Sequence, residues 1–162
     1  MKLLLLILLF VPFISIGQIK TLDELKRITS QETFERVCIK NGYEKFRPNN
    51  KMYISYLLNP KYNDENELPN GWDGYANYSL SEKGFTFGFM NNIFWALNKD
   101  YTSIWAEAES NCNYLDIAES KDIDYLYMEY IMLMKYDCLP NGKLGFGKSK
   151  DRSIIMFSKN TP

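Results

Sequence analysis

The stretch L-P-N-G-W-D-G-Y at residues 68–75 recurs 71 residues later as L-P-N-G-K-L-G-F at residues 139–146. Five of the eight positions are identical, and an aromatic residue closes both copies. Upstream of each copy, a segment of helical appearance leads to a cysteine, Cys38 in one case and Cys112 in the other, 74 residues apart. This spacing predicts an internal duplication in which two copies pair to complete one hydrophobic core.

The first copy begins with a helical pattern and continues with strand patterns. Apolar residues recur at helical spacing over residues 22–41, which predicts one bent helix or two short ones. Thr21 with Glu24 and Thr29 with Glu32 have the spacing of capping boxes. Aromatic-rich runs bounded by turn residues predict the strands that follow, at residues 52–58, 75–80, 85–89 and 93–97.

The second copy repeats this order. A helix is expected over about 102–112, and a strand begins at 114–117. Residues 124–132 are ambiguous between helix and strand, and we choose strand because the first copy requires one there. A closing hairpin is expected at 143–147 and 153–157. The predicted fold is α+β: two tandem α-β-β-β repeats, about 21–98 and 99–162, forming an antiparallel sheet with the helices packed on one face.

The N-terminus has the pattern of a secretory signal peptide over residues 1–17. Lys2 precedes an apolar run over 3–16 that is shorter than a membrane span and is interrupted by Pro12. Small residues then favour cleavage after about Gly17, which leaves residues 18–162 as a single secreted or periplasmic domain with no integral membrane span. An uncleaved membrane anchor is the alternative.

Charge and composition narrow the classes of function. Removing Lys2 from the 19 basic residues leaves 18, against 20 acidic residues, so the balance predicts no nucleic-acid partner. The chain contains no histidine. This argues against a Ser-His-Asp or Cys-His nucleophile and an imidazole metal site, and we expect no metal and no cofactor.

Three cysteines in an oxidising compartment suggest one disulfide and one remaining thiol. Connectivity cannot be read from sequence. Cys112 and Cys138 flank a predicted strand in the same copy, so we favour that pair, with Cys38 as a buried free thiol on the apolar side of its helix.

Residues 142–149 match the phosphate-loop pattern G-x-x-x-x-G-K-[ST]. That chemistry requires a strand before the loop and a helix after it, whose amide groups hold the phosphates. Only 13 residues follow the match, and they read as a turn and a strand. We interpret the match as accidental and its glycines as turn residues.

Other residues remain as candidates for binding or catalysis. The acidic loop at 59–73 resembles a solvated loop more than a calcium site. Beside it, Trp72 and Tyr75 are candidates for stacking on a sugar or anchoring a partner, unless Trp72 folds back over the sheet edge. Carboxylates such as Glu107 and Glu109 form no evident catalytic pair, and Asp122, Asp124 and Glu129 are equally dispersed, although a small carboxylate-dependent hydrolase remains an alternative.

The function these patterns favour is protein binding without catalysis. A sheet with helices on one side leaves the other face open. We expect four tyrosines to line that face: Tyr53, Tyr56, Tyr125 and Tyr127. In architecture alone, two exported α+β repeats resemble the tandem-repeat secreted inhibitors of β-lactamase, which implies a protein partner. An inhibitor or an immunity-type protein fits this description. The alternative is a cell-envelope or glycan-binding component.

Overall fold

A computed structural model describes residues 18–46, 52–62, 68–90, 98–123, 128–148 and 151–159. The helices within these ranges are α1 (Leu22–Lys26), α2 (Gln31–Lys40) and α3 (Lys99–Asn111). The strands are β1 (Tyr43–Phe46), β2 (Tyr53–Leu58), β3 (Lys61–Tyr62), β4 (Pro69–Gly71), β5 (Gly74–Ser79), β6 (Phe85–Met90), β7 (Asn113–Ile123), β8 (Met128–Leu139), β9 (Gly142–Lys148) and β10 (Arg152–Lys159).

Eight of these strands form one antiparallel sheet in the order β1-β2-β5-β6-β10-β9-β8-β7, and β3 and β4 form a separate pair. The α+β class with an antiparallel sheet is confirmed. Each half of the sheet is a four-stranded meander preceded by helix, and β6 pairs with β10 where the halves meet. The predicted α-β-β-β repeat has three strands, one fewer than each half of the main sheet contains, and the short strand β1 was missed. The duplication itself stays a prediction, as does its boundary at residue 98.

The chain between α1 and α2 decides between one bent helix and two short ones. Two helices form, because Ser30 caps the start of a second one. Its hydroxyl accepts a hydrogen bond from the Thr33 amide, and the Thr33 hydroxyl accepts one from the Ser30 amide. The predicted cap at Thr29 is therefore one residue early. The other predicted cap is present, since the Thr21 hydroxyl accepts from the Glu24 amide at 3.3 Å.

The main core lies between the helices and one face of the sheet, which we call the helix face. In the first half, Phe34 of α2 is fully buried, and its ring centroid lies 5.3 Å from that of Tyr78 and 5.6 Å from that of Phe87. In the second half, Tyr101 of α3 lies 6.1 Å from Phe146. Aromatic side chains therefore join helix to sheet in both halves.

The two copies of the L-P-N-G motif adopt different structures. Residues 69–71 form β4, outside the main sheet, whereas residues 140–141 form the turn between β8 and β9. The closing aromatic residues also differ, because Phe146 lies in the main core and Tyr75 points to the opposite face. Side chains alternate between faces along a strand, so equivalent letters in two copies need not share a face.

The phosphate-loop match lies in a strand rather than a loop. Residues 142–148 are β9, and a strand follows at β10. The interpretation of its glycines as turn residues is wrong for Gly145 and Gly147, which lie within the strand. A Cβ atom there would come within 2.8 Å and 2.6 Å of Leu133 side-chain carbons, so these glycines let Leu133 lie against the sheet.

Cys112 and Cys138 form a disulfide, as predicted, with their Cα atoms 4.9 Å apart. It links the end of α3 to the end of β8. Cys38 is free and buried, also as predicted, and burial is the main reason that the pKa of its thiol is raised well above the usual value. Disulfides are typical of proteins that fold in an oxidising compartment.

Several sequence predictions lie outside the described residues: the signal peptide at 1–17, the strand at 93–97 and most of the acidic residues of the 59–73 loop. Within the described ranges, no helix has the length and apolar character needed to cross a bilayer.

Candidate functional site

The face of the main sheet away from the helices, which we call the open face, carries buried side chains at its centre. The Tyr75 ring lies over Gly88, where any Cβ atom would overlap it, and the Arg152 guanidinium carbon is 5.8 Å from the centroid of that ring. Both side chains are buried, at 2% and 4% exposure. Ile154 and Leu133 form a second buried cluster on the same face. The expected broad, exposed tyrosine face is therefore absent at the described centre.

The predicted binding residues occupy different places. Tyr53 lies half-buried on the open face, and Trp72 is half-buried just before β5. Tyr75 is buried in the position described above. Tyr125 and Tyr127 lie outside the described residues, in the segment that joins β7 to β8.

Tyr56 is the clearest correction. It is three residues from Tyr53 in one strand, so the two side chains point to opposite faces. Tyr56 is 1% exposed on the helix face, and its hydroxyl donates to the Glu35 carboxylate at 3.0 Å. Burial and the Glu35 charge raise the pKa of Tyr56. The expectation that Tyr56 lies on the open face is wrong.

Glu35 ties α2 to the edge of the sheet. Its carboxylate accepts hydrogen bonds from Gln31 at 2.8 Å, Lys45 at 3.1 Å and Tyr56. The Gln31 hydrogen bond is the largest of the causes that lower the pKa of Glu35, and Lys45 and Tyr56 act in the same direction. These hydrogen bonds account for the lowered pKa of Glu35, and they give this carboxylate a structural role.

A polar groove of about 250 Å³ crosses the open face near the β5–β6 turn. Within it, the Ser79 hydroxyl accepts a hydrogen bond from the Glu82 amide at 3.1 Å. Burial and the nearby Glu82 charge raise the pKa of Tyr53. The side chains that give the groove its character are Tyr53, Asn77, Ser79, Glu82, Thr86 and Met156. Hydroxyl, amide and carboxylate groups beside one aromatic ring suit a polar ligand such as a sugar.

The outer hairpin, β7 and β8, carries exposed apolar side chains. We call Tyr114, Leu115, Ile117 and Met132 the outer patch, with exposures of 54%, 40%, 56% and 57%. Tyr114 pairs with Tyr136 and Ile117 with Met134, both of which touch the main core, so these side chains lie on the helix face. Strand β7 is the edge of the sheet and is 11 residues long.

Sequence reasoning missed the outer patch. It expected a strand beginning at 114–117 but did not anticipate that the strand would continue to Ile123 as the edge of the sheet. The signal was the cluster of large apolar residues in Y-L-D-I at 114–117.

The candidate carboxylates do not come together. Glu107 accepts a hydrogen bond from the Leu22 amide at 2.8 Å and thereby joins α3 to α1. Glu109 lies 3.5 Å from the Tyr136 hydroxyl. The side chains of Asp122 and Glu129, and all of Asp124, lie outside the described residues. Among the side chains that are described, no cluster of acidic residues and cysteines is arranged to hold a metal ion.

No protein-family model, no curated protein and no solved structure matches this chain.

Proposed function

We propose that this chain is an exported, non-enzymatic protein that binds another protein through its sheet, with the outer patch as the main contact. The observation that carries the proposal is the exposure of four large apolar side chains on one hairpin, three of them within the four residues 114–117 of the edge strand and Met132 on the strand paired with it. Single exposed apolar residues are ordinary on a protein surface, but contiguous ones mark interaction sites. An inhibitor or immunity-type protein is the class we favour.

The composition of the outer patch supports a protein partner. Tyrosine and methionine are enriched in protein interfaces, and interface cores are depleted in charge. Tyr114 also has a rigid support, since its ring packs edge-on against Tyr136 with centroids 5.6 Å apart. The Tyr136 hydroxyl in turn accepts a hydrogen bond from the Trp105 indole at 3.1 Å. A supported aromatic side chain loses little conformational freedom on binding.

The surroundings of the outer patch favour specific binding over uncontrolled strand pairing. Charged residues accompany the apolar ones along the edge strand, with Asp116 and Glu119 both exposed. Charge on an edge strand hinders pairing with unrelated chains. The side chains are therefore a better contact surface than the free backbone edge.

The test begins with capture of partners from the native periplasm or culture medium by residues 18–162. A stoichiometric partner is then purified, and its affinity is measured for Ile117→Glu and Met132→Glu. We expect each substitution to weaken binding about tenfold or more, as for residues near the centre of an interface. Ile39→Glu is the matched control, because Ile39 is 66% exposed on α2, away from the outer patch.

Equal loss of affinity in the Ile39→Glu control would contradict the proposal, as would unchanged affinity in both outer-patch variants. Circular dichroism must show that each variant is folded. Light scattering adds a further outcome: a dimer that Ile117→Glu dissociates would reassign the outer patch to self-association.

Glycan binding is the second candidate, and the polar groove is the observation that favours it. Its volume of about 250 Å³ is just below the roughly 300 to 1,000 Å³ typical of ligand sites. If no protein is captured, retention on cell-wall polysaccharide that is lost in Tyr53→Ala and kept in Ile117→Glu would support this candidate instead.

A further inference from the structure

Three lysines from distant parts of the chain meet at one pocket on the helix face. Lys26 comes from the last turn of α1, Lys83 from the β5–β6 turn and Lys159 from the end of β10. They line a cavity of about 130 Å³, which we call the lysine pocket. Positions 26, 83 and 159 have no local sequence relationship, so only the fold brings these charges together.

The floor of the lysine pocket is apolar. Ile28, Phe85 and Leu139 are buried there, and Phe157 stacks on Phe85 with ring centroids 5.0 Å apart. Charges beside such a floor are less well screened than charges surrounded by water. The three lysines are themselves exposed, so this gain applies only to a group of opposite charge that lies against the floor.

Among the described residues that line the pocket, none balances the charge of the three lysines. No acidic residue is among the described side chains that line it. The salt bridges of the described part of the chain use Arg36, Lys40, Lys45 and Lys61, and none includes these three lysines. The adjacent Glu82 lines the polar groove instead, so the β5–β6 turn places opposite charges in different cavities.

One of the lysines is held in a backbone conformation that lysine rarely adopts. Lys83 has φ of 56°, in the left-handed region, although the next residue is a glycine. A residue with a Cβ atom is strained in this conformation, whereas glycine adopts it readily. Lys83→Gly therefore removes the charge and relieves the backbone at the same time, which separates a role in binding from a role in folding.

We propose that the lysine pocket binds an acidic peptide segment of the partner protein, with a carboxylate near the three lysines and a neighbouring apolar side chain on the floor. The inference rests on the proposed function, because it states what chemistry the partner presents. The volume favours one side chain of a larger molecule, since it is well below that of typical small-molecule sites. Complementary charge around an apolar contact is the usual basis of such specificity.

The test uses fluorescence anisotropy with a fluorescein-labelled peptide of alternating leucine and glutamate. The same peptide with glutamine in place of glutamate is the ligand control. We expect each of Lys26→Gln, Lys83→Gly and Lys159→Gln to weaken binding about two- to fivefold, the range for partly exposed ion pairs. The triple variant should lose about tenfold or more, and added salt should reduce the difference.

Lys99→Gln is the matched protein control, because Lys99 is an exposed lysine at the start of α3, outside the pocket. Lys83→Gly should also unfold at a higher urea concentration than the wild type while binding the peptide less tightly. Both results together would support a binding role for a strained residue.

The inference is overturned if the glutamine peptide binds equally well, if the triple variant keeps wild-type affinity, or if Lys99→Gln loses as much. It is also overturned if the protein binds anionic vesicles or inorganic phosphate but does not bind the acidic peptide. Failure here with a confirmed outer-patch partner would leave the proposed function intact. Peptide binding in the absence of any captured protein would support the lysine pocket without supporting the outer patch.

Discussion

The two halves of the main sheet share a strand order but are stabilised differently. In the first half, α2 inserts Phe34 among the rings of Tyr56, Tyr78, Phe85 and Phe87. In the second half, α3 is tied covalently to β8 by the disulfide between Cys112 and Cys138. One arrangement of helix and meander is thus held in one half mainly by packing and in the other by packing plus a covalent link.

The edge strands of the two halves also differ. Strand β1 has four residues, and its edge is reinforced by Lys45, which reaches the Glu35 carboxylate. Strand β7 has 11 residues and exposes the outer patch. The second half therefore combines an exposed apolar edge with a disulfide between α3 and β8.

The largest effect is expected from the ring cluster of the first half. Phe34→Ala should lower the free energy of unfolding by about 3 to 5 kcal/mol, because it removes a fully buried ring and leaves a cavity. Urea unfolding measures this change. Val37→Ala, in the same helix at a half-buried position, is the control and should cost less. Equal losses would show that the ring cluster is not the main support of this half.

A slightly smaller effect is expected from the disulfide of the second half. Its sequence separation of 26 residues corresponds to about 3.5 kcal/mol in the chain-entropy model, so Cys112→Ala with Cys138→Ala should be less stable by about that amount. Unfolding with and without reductant measures it. The wild type and Cys38→Ala should both respond to reductant, and the double variant should not. A response in the double variant would contradict the assignment.

The smallest effect tests a feature that the halves share on the open face. Gly88→Ala would force a methyl group into the Tyr75 ring, and Gly147→Ala would place one 2.6 Å from Leu133. Each should cost about 1 to 3 kcal/mol by overpacking. The double variants Gly88→Ala/Tyr75→Ala and Gly147→Ala/Leu133→Ala should be less destabilised than the sum of their single substitutions. Strict additivity would argue that these side chains do not press on the glycines.

The sequence by itself determined the local order of the molecule. Helical spacing and capping residues predicted helices near α1, α2 and α3, and alternating aromatic runs predicted most of the strands, because these signals depend on neighbours in the chain. It also favoured the observed cysteine pair. The short strand β1 was missed because four residues carry too little pattern to be distinguished from a loop.

Only the tertiary structure decided which side chains share a surface. Tyr53 and Tyr56 separate because strand side chains alternate, and Tyr75 and Phe146 face opposite ways although they occupy equivalent positions of one motif. Lys83 and Lys159 meet because β6 pairs with β10, and the packing of α1 on the sheet adds Lys26 to the same pocket. Pairing and register are long-range choices set by burial of the whole sheet, so no local pattern contains them.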